Sequence, residues 1–367
     1  MSAEQPDTAP ARPDEAPVLR VGTRGSDLAL AQSGQIAGRV AGEDRVELVR
    51  VRTHGDVDRT SPLAQIGGTG VFVTAVREAL LGGEVDAVVH SAKDLPTAPV
   101  PGIVMACVPE REDPRDALCA RDGLTLETLP RGAKVGTGSP RRAAQLRRAR
   151  PDLEVVGIRG NVETRLARAL GEDADLDAVV LAAAGLLRLG RREVISEFLS
   201  PGVLLPAPAQ GALAVECAET SAGAWFEPGM RAADHAPTRA AVAAERSLLR
   251  TLEAGCSAPV GALGTVSGAG SDGTDDASEC PVLTLRGLAI SEDGTQVFEG
   301  TRSTPVDLAD PAALEADAVR LGQDLAADLL DAGAARVLSI AGPSAAGQST
   351  AGPGTAGPGT TGGDAAS

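Results

Sequence analysis

Aromatic side chains are almost missing from this 367-residue chain: it has one tryptophan, four phenylalanines and no tyrosine. A stacking platform for single-stranded nucleic acid has almost nothing to be built from. Lysine occurs only twice, as Lys93 and Lys134, and arginine supplies every other positive side chain. The three histidines are far apart, and the five cysteines (Cys107, Cys119, Cys217, Cys256 and Cys280) form no C-x-x-C pair. That pattern predicts no metal site, and the odd cysteine count fits reduced thiols of a cytosolic protein. No apolar run approaches the ~20 residues that span a bilayer. The first residues lack the basic head and apolar segment of a signal peptide, so the expectation is a cytoplasmic protein. A formal charge of −16 argues against nucleic acid or an anionic membrane surface as partner.

With 43% hydrophobic residues the chain has enough apolar material for two or three cored domains. Residues 1–17, rich in Pro, Ala and acid, read as a disordered arm, and the Gly/Pro/Thr-rich residues 342–367 as a disordered tail. Between them strand and helix patterns alternate. Runs at 18–22, 46–52, 85–90 and 103–107 read as strands, with helices over 27–41 and 71–81. The pattern restarts with strands at 134–137, 154–158 and 178–181 and helices after Pro140 and Asn161. Alternation of this kind predicts parallel sheets covered by helices, an α/β class. The last third differs: a helix over 238–253, two strand-like runs at 259–266 and 282–290, and a long helix capped by Asp310. Leu314, Ala318, Leu321, Leu325 and Leu329 line one face of that helix, and the unit reads as a small α+β domain.

In open α/β sheets ligands bind beyond the carboxyl ends of the strands. Three such turns here are alike: Thr23-Arg24-Gly25-Ser26, Thr137-Gly138-Ser139-Pro140-Arg141-Arg142, and Arg159-Gly160-Asn161 followed by Arg165. Each combines glycine, an N-capping Ser or Asn, and arginine. A helix N-terminus offers unpaired N–H groups and partial positive charge, and a guanidinium fork suits carboxylate or phosphate. Convergence of these turns predicts a ligand dense in anionic groups. Arg147 and Arg148 read instead as a solvated helix face. No P-loop or complete dinucleotide fingerprint is present.

The stretch "VVHSAKDLP" ends an apolar run in Lys93 and Asp94, a lysine beside a carboxylate at the same kind of strand end. Two readings stand at this level: a solvated pair on an exposed turn, or a carboxylate that accepts a proton or balances a cation. Cys256, in "LEAGCSAPVG", follows a helix end on a loop of small residues, whereas Cys217 and Cys107 lie in apolar runs and read as buried. Spacing alone favours an unreactive Cys256, because no histidine stands nearby in sequence.

Taken together, the segments "TRGSDLALAQ", "VHSAKDLPT", "EREDPRDAL", "GTGSPRRAAQL", "IRGNVETRL", "LAAAGLLRLG", "PAPAQGALAVEC", "AERSLLRTLEAGC" and "APVG" closely resemble the hydroxymethylbilane synthases, also called porphobilinogen deaminases. The resemblance runs from about residue 19 to 340. It implies two lobes like those of periplasmic binding proteins and a smaller third domain. The expected partition is 18–110 with 211–230 for domain 1, 111–210 for domain 2 and 235–341 for domain 3. It further implies a dipyrromethane cofactor joined by a thioether to Cys256. Porphobilinogen is then added head to tail four times with loss of ammonia, and the linear tetrapyrrole is released by hydrolysis. This is a step toward haem.

The resemblance also implies roles. Asp94 matches the catalytic carboxylate. Lys93, Ser91, Thr137, Ser139, Arg141, Arg142, Gln210 and Asp56 match cofactor-binding positions. Arg24, Ser26, Gln32, Arg159, Arg165 and Arg188 match positions that hold the substrate's acetate and propionate groups. His54, Gln65, Thr69, Gly138 and Pro140 depart from the residues common in the family, two of them in the loop near 57–70 that the family uses as a lid and His54 just before it. The expected partners are porphobilinogen alone, on a monomer. A two-lobed carboxylate-binding sensor without catalysis is the rival reading; it requires neither Cys256 nor a third domain.

Overall fold

The computed structural model describes residues 16–51, 70–254, 258–268 and 280–338. Thirteen strands in these residues make three sheets. The first contains β1 (Leu19–Thr23), β2 (Val46–Arg50), β3 (Ala87–Ser91), β4 (Ile103–Cys107) and β10 (Leu213–Ala218), in the order β2-β1-β3-β10-β4. The second contains β5 (Asp116–Ala120), β6 (Lys134–Thr137), β7 (Glu154–Gly157), β8 (Ala178–Ala182) and β9 (Glu197–Leu199), in the order β7-β6-β8-β5-β9. The two orders have one plan. In each, one strand (β1 in the first, β6 in the second) is paired in parallel with two neighbours, and an antiparallel strand (β10 or β5) sits second from the edge.

That antiparallel strand corrects the all-parallel expectation. β5 and β10 are the strands on which the chain enters the second lobe and re-enters the first, so each arrives from the opposite direction. Neither β5 nor β9 stood out in the sequence: "DALCA" is short and fully buried, and β9 is three residues long. The apolar run holding Cys217 is β10, whose partners β3 and β4 lie more than a hundred residues earlier.

Burial explains the apolar runs. Along β5, Ala117 and Cys119 join one core with Ile158, Leu166 and Val179. Leu118 and Ala120 join another with Val135, Leu146 and Val180. A strand with helices on both faces has no polar side and shows no alternation. In the first lobe Leu19, Val21, Ile36, Leu213, Val215 and Met230 form the core beneath the helix Asp27–Ala41.

The third unit is a three-stranded antiparallel sheet of β11 (Val260–Ser267), β12 (Val282–Ile290) and β13 (Val297–Pro305). β13, unforeseen because it is partly polar and mostly exposed, completes it. Helices Ala236–Thr251 and Pro311–Asp331 cover the other face. Asp310 accepts from the amides of Ala312 and Ala313 at 3.0 and 3.1 Å, and Pro311 starts the helix, as expected. Leu314, Ala318, Leu321, Leu325 and Leu329 are all buried. The two helices cross at Gly322, where a Cβ would collide with the Ala244 carbonyl. Ser247 Oγ donates to the Val319 carbonyl at 2.7 Å at the same crossing.

Candidate functional site

The ligand-binding turns are built by local capping. Ser26 begins the helix Asp27–Ala41 and accepts from the Ala29 amide at 3.3 Å. Ser139 begins the helix Pro140–Ala149, accepting from the Arg142 amide at 3.4 Å, while its own amide donates to Thr137 Oγ1 at 3.3 Å. Asn161 begins the helix Val162–Leu170 and accepts from the Thr164 amide at 2.8 Å. The backbone at Gly138 passes so close to the Ile158 carbonyl, 2.6 Å from where a Cβ would stand, that a side chain there is disfavoured. That close approach accounts for glycine at this departure from the family pattern.

Arg141 and Arg142 start a helix but turn inward, with 3% and 6% of their surface exposed. Both clasp Asp116, which is wholly buried at the start of β5. Arg141 Nη2 donates to Oδ2 at 2.8 Å and Arg142 Nε to Oδ1 at 2.9 Å. Gln210 completes the cluster: its Nε2 donates to Asp116 Oδ1 at 2.8 Å and its Oε1 accepts from Arg142 Nη2 at 3.3 Å. Burial alone would raise the Asp116 pKa, but the charges of Arg141 and Arg142 and the bonds from Gln210 and Arg141 override it and hold the carboxyl at about 2. Burial pulls the Arg141 guanidinium below its ordinary value.

Lys93 brings the first lobe to this cluster. β3 ends at Ser91, and a 3-10 turn, Ala92–Asp94, carries Lys93 and Asp94. Burial pushes the Lys93 ammonium down to about 8; Asp94 and Asp116 oppose that, and Arg142 and Arg141 reinforce it. The other lysine, Lys134, is exposed at the opposite end of a strand, where its backbone amide and carbonyl are both engaged with Asp177. The lobes also touch where Leu28 approaches Gly185.

Arg165 stands beside this group. Its Nε is buried with no hydrogen-bond partner, and burial followed by repulsion from Arg142 lowers its pKa. Arg141 Nε is likewise buried and unmatched. Lys93 thus lies within electrostatic reach of Asp94, Asp116, Arg142 and Arg141, and Arg165 within reach of Arg142, so the cations Lys93, Arg141, Arg142 and Arg165 outnumber the carboxylates Asp94 and Asp116. Arg188 is half-buried and donates Nη2 to the Gly211 carbonyl at 2.6 Å, beside Gln210. Arg159 is exposed; Arg24 is half-buried just past β1; Gln32 is buried on the helix that Ser26 caps. Ser91 is half-buried at the end of β3. Asp56, His54, Gln65, Thr69 and Cys256 lie outside the described residues. Cys107, Cys119 and Cys217 are buried thiols that desolvation pushes up to about 12, so they are poor nucleophiles.

Sequence reasoning missed Asp116 and a second buried hub. The Arg111 guanidinium grips Glu245 at 2.6 and 3.1 Å and donates Nε to the Gln210 carbonyl at 2.8 Å. Glu245 also accepts from the amides of Ala209 and Gly264, at 2.5 and 2.7 Å. The signal was present in "EREDPRDAL": Asp116 is a charged residue at the head of a strand that is buried throughout, and Arg111 stands five residues before it in a half-buried stretch.

Two α/β lobes of one plan meet at a cationic cluster and are backed by an α+β unit, the class of frame that can hold a polyanionic small molecule. The comparisons narrow this class. The profile of "Porphobilinogen deaminase, dipyromethane cofactor binding domain" matches residues 19–224, and that of "Porphobilinogen deaminase, C-terminal domain" matches residues 239–331. The chain is 52% identical over 327 residues to porphobilinogen deaminase 1 of Streptomyces coelicolor, covering 87% of this chain and 97% of that one. It is 50% identical over 329 residues to the porphobilinogen deaminase of Leifsonia xyli subsp. xyli, covering 88% and 95%. The chain belongs to the porphobilinogen deaminase family. Among solved structures, a periplasmic binding protein of Salmonella typhimurium aligns over 59% of this chain and 92% of that chain, at 14% identity and a TM-score of 0.32.

Proposed function

We propose that this chain is a hydroxymethylbilane synthase: it joins four porphobilinogen molecules head to tail, releases ammonia at each addition, and frees the linear tetrapyrrole by hydrolysis. The observation that carries this reading is the surplus of positive charge where the lobes meet, including two buried guanidinium nitrogens without partners, Arg141 Nε and Arg165 Nε. A buried donor left unmatched costs about 1–3 kcal/mol. A site that retains two of them suits a guest bearing several carboxylates. Porphobilinogen and a dipyrromethane both carry acetate and propionate groups on every ring.

The donor set therefore fits the family's cofactor. Lys93, Ser91, Thr137, Ser139, Arg141, Arg142, Gln210 and Asp56 would hold it, with the thioether at Cys256. When bound, the dipyrromethane supplies the electron-rich pyrrole carbon to which the first substrate unit is joined. Arg24, Ser26, Gln32, Arg159, Arg165 and Arg188 would hold the acids of the incoming unit. Substrate that has lost ammonia would be electron-poor, and a pyrrole ring joined to it through its α-carbon would carry positive charge at its nitrogen until that carbon gives up its proton. The Asp94 carboxylate would balance that charge and take up the proton leaving the α-carbon. Lys93 beside it takes a ring's carboxylate, so anion holder and cation stabiliser occupy one turn. Cytoplasmic location and a monomeric state complete the proposal; among the described residues no helix is long and apolar enough to cross a membrane.

Asp94→Ala tests the reading. We expect a folded, cofactor-loaded protein whose consumption of porphobilinogen falls by about 10²-fold or more, as loss of a principal charge-stabilising group does. Turnover at the unmodified rate would remove Asp94 from the mechanism.

A further inference from the structure

One side chain of the third unit reaches out of it to the turn that carries Asp94. Arg246, on the helix Ala236–Thr251, donates Nη1–H to the carbonyls of Ala92 and Leu95 at 3.3 and 2.9 Å, and Nη2–H to the carbonyl of Pro96 at 2.7 Å. These three carbonyls bracket Lys93 and Asp94. The turn's own closure is weak, with the Leu95 amide donating to the Ala92 carbonyl at 3.3 Å, and its start is tied by the Ala92 amide to the Ala212 carbonyl at 3.0 Å. The neighbouring residue, Glu245, holds Arg111 and the Ala209 amide, on the two segments that connect the lobes. Two successive residues of one helix thus fix the inter-lobe connections and the Asp94 turn.

We propose that Arg246 is a positioning residue for the condensation: it fixes the backbone of residues 92–96 so that the Asp94 carboxylate meets the reacting pyrrole nitrogen. This rests on the role given to Asp94 under the proposed function. It makes the unit that bears Cys256 part of the catalytic geometry as well as a cofactor carrier. The chemistry suits arginine in particular. A planar guanidinium presents donors in a rigid fork and stays charged, so it spans several carbonyls in one orientation; a lysine ammonium is a point donor on a flexible stem.

The test uses full-length, cofactor-loaded protein as wild type, Asp94→Ala, Arg246→Met and Arg246→Lys. Intact mass establishes cofactor loading and thermal unfolding establishes folding. kcat and KM for porphobilinogen are then measured per loaded, folded molecule. A displacement of about 1 Å at a catalytic group costs up to about 100-fold in rate. The expected result for Arg246→Met is a kcat about 10- to 100-fold lower with KM within about threefold of wild type. Arg246→Lys is expected to recover part of the loss. A kcat for loaded Arg246→Met within twofold of wild type overturns the proposal. So does a loss that vanishes once rates are divided by the loaded, folded fraction, because a purely structural role moves that fraction and leaves kcat alone. If Arg246→Met does not fold, Arg246→Lys decides: a reduced kcat at unchanged KM supports positioning, and a wild-type kcat overturns it. Inactivity of the wild type itself would instead defeat the functional reading, and this proposal with it.

Discussion

Asp116→Asn removes one charge and almost no volume from the most deeply buried ionic cluster of the second lobe. The aspartate is wholly buried, Arg141 and Arg142 nearly so, and all three meet on the two carboxylate oxygens. The carboxyl pKa is displaced from 3.8 to about 2. At ~1.4 kcal/mol per unit that displacement makes the ionised form worth roughly 2–3 kcal/mol to the fold, after its own desolvation has been met. Leaving two buried guanidiniums without their counter-charge is costlier, about 3–5 kcal/mol. A loss of roughly 2–5 kcal/mol follows, and with ~2–4 °C per kcal/mol for a domain of this size the melting temperature should fall by roughly 5–15 °C. Sign follows from the depressed pKa. The contribution is fully present above pH 3.8 and is lost as pH falls toward about 2. Thermal unfolding of wild type and variant at neutral pH, and again below pH 3, measures both effects: the difference should be large at neutral pH and shrink in acid. Asp116→Asn combined with Arg142→Gln should lose less than the two single changes added, because the pair shares one interaction. Melting within 1 °C of wild type at neutral pH would refute the claim that Asp116 organises these arginines.

Three further outcomes are expected. Because burial holds the Lys93 ammonium at about 8, carboxylate binding should weaken as pH rises through that value, so KM for porphobilinogen should climb between pH 7.5 and 9; Lys93→Arg should flatten the climb, and an equal climb in both would exclude Lys93. Cys256→Ser should abolish the covalent mass increment of two pyrrole units while Cys107→Ser, Cys119→Ser and Cys217→Ser retain it, since those three thiols are held near 12 by burial; an increment surviving in Cys256→Ser would place the thioether elsewhere. Arg165→Gln should raise KM for porphobilinogen by about tenfold, the order of one charge-assisted hydrogen bond, without destabilising the protein, since its buried Nε has no partner to lose; a destabilised variant would show that the residue serves the fold.

The parts of the fold that the sequence discloses are those whose signal is local. Helix 311–331 announces its cap, its first-turn proline and its buried leucines within one stretch, and the structure has each of them. The turns that begin with Ser26, Ser139 and Asn161 are legible for the same reason. What escapes is set by partners far away in the chain. β5 pairs with β8 and β9, which begin more than sixty residues later, and its five buried residues carry no periodicity. The all-parallel expectation failed because direction depends on how the chain crosses between lobes. Arg141 and Arg142 were legible as cations at a strand end. Their engagement with Asp116 was not, because the carboxylate lies 25 and 26 residues earlier in the chain. The grip of Arg246 on the Asp94 turn spans about 150 residues and leaves no trace in local pattern.

The account stands most directly on whether the protein builds its product on itself. Denaturing intact-mass measurement after mixing purified protein with a limiting amount of porphobilinogen decides it. The expected spectrum has a base species heavier than the bare chain by two pyrrole units, followed by a ladder of heavier species spaced by one unit, all lost in Cys256→Ser. A single peak at the mass of the bare chain, unchanged by porphobilinogen, would contradict the account.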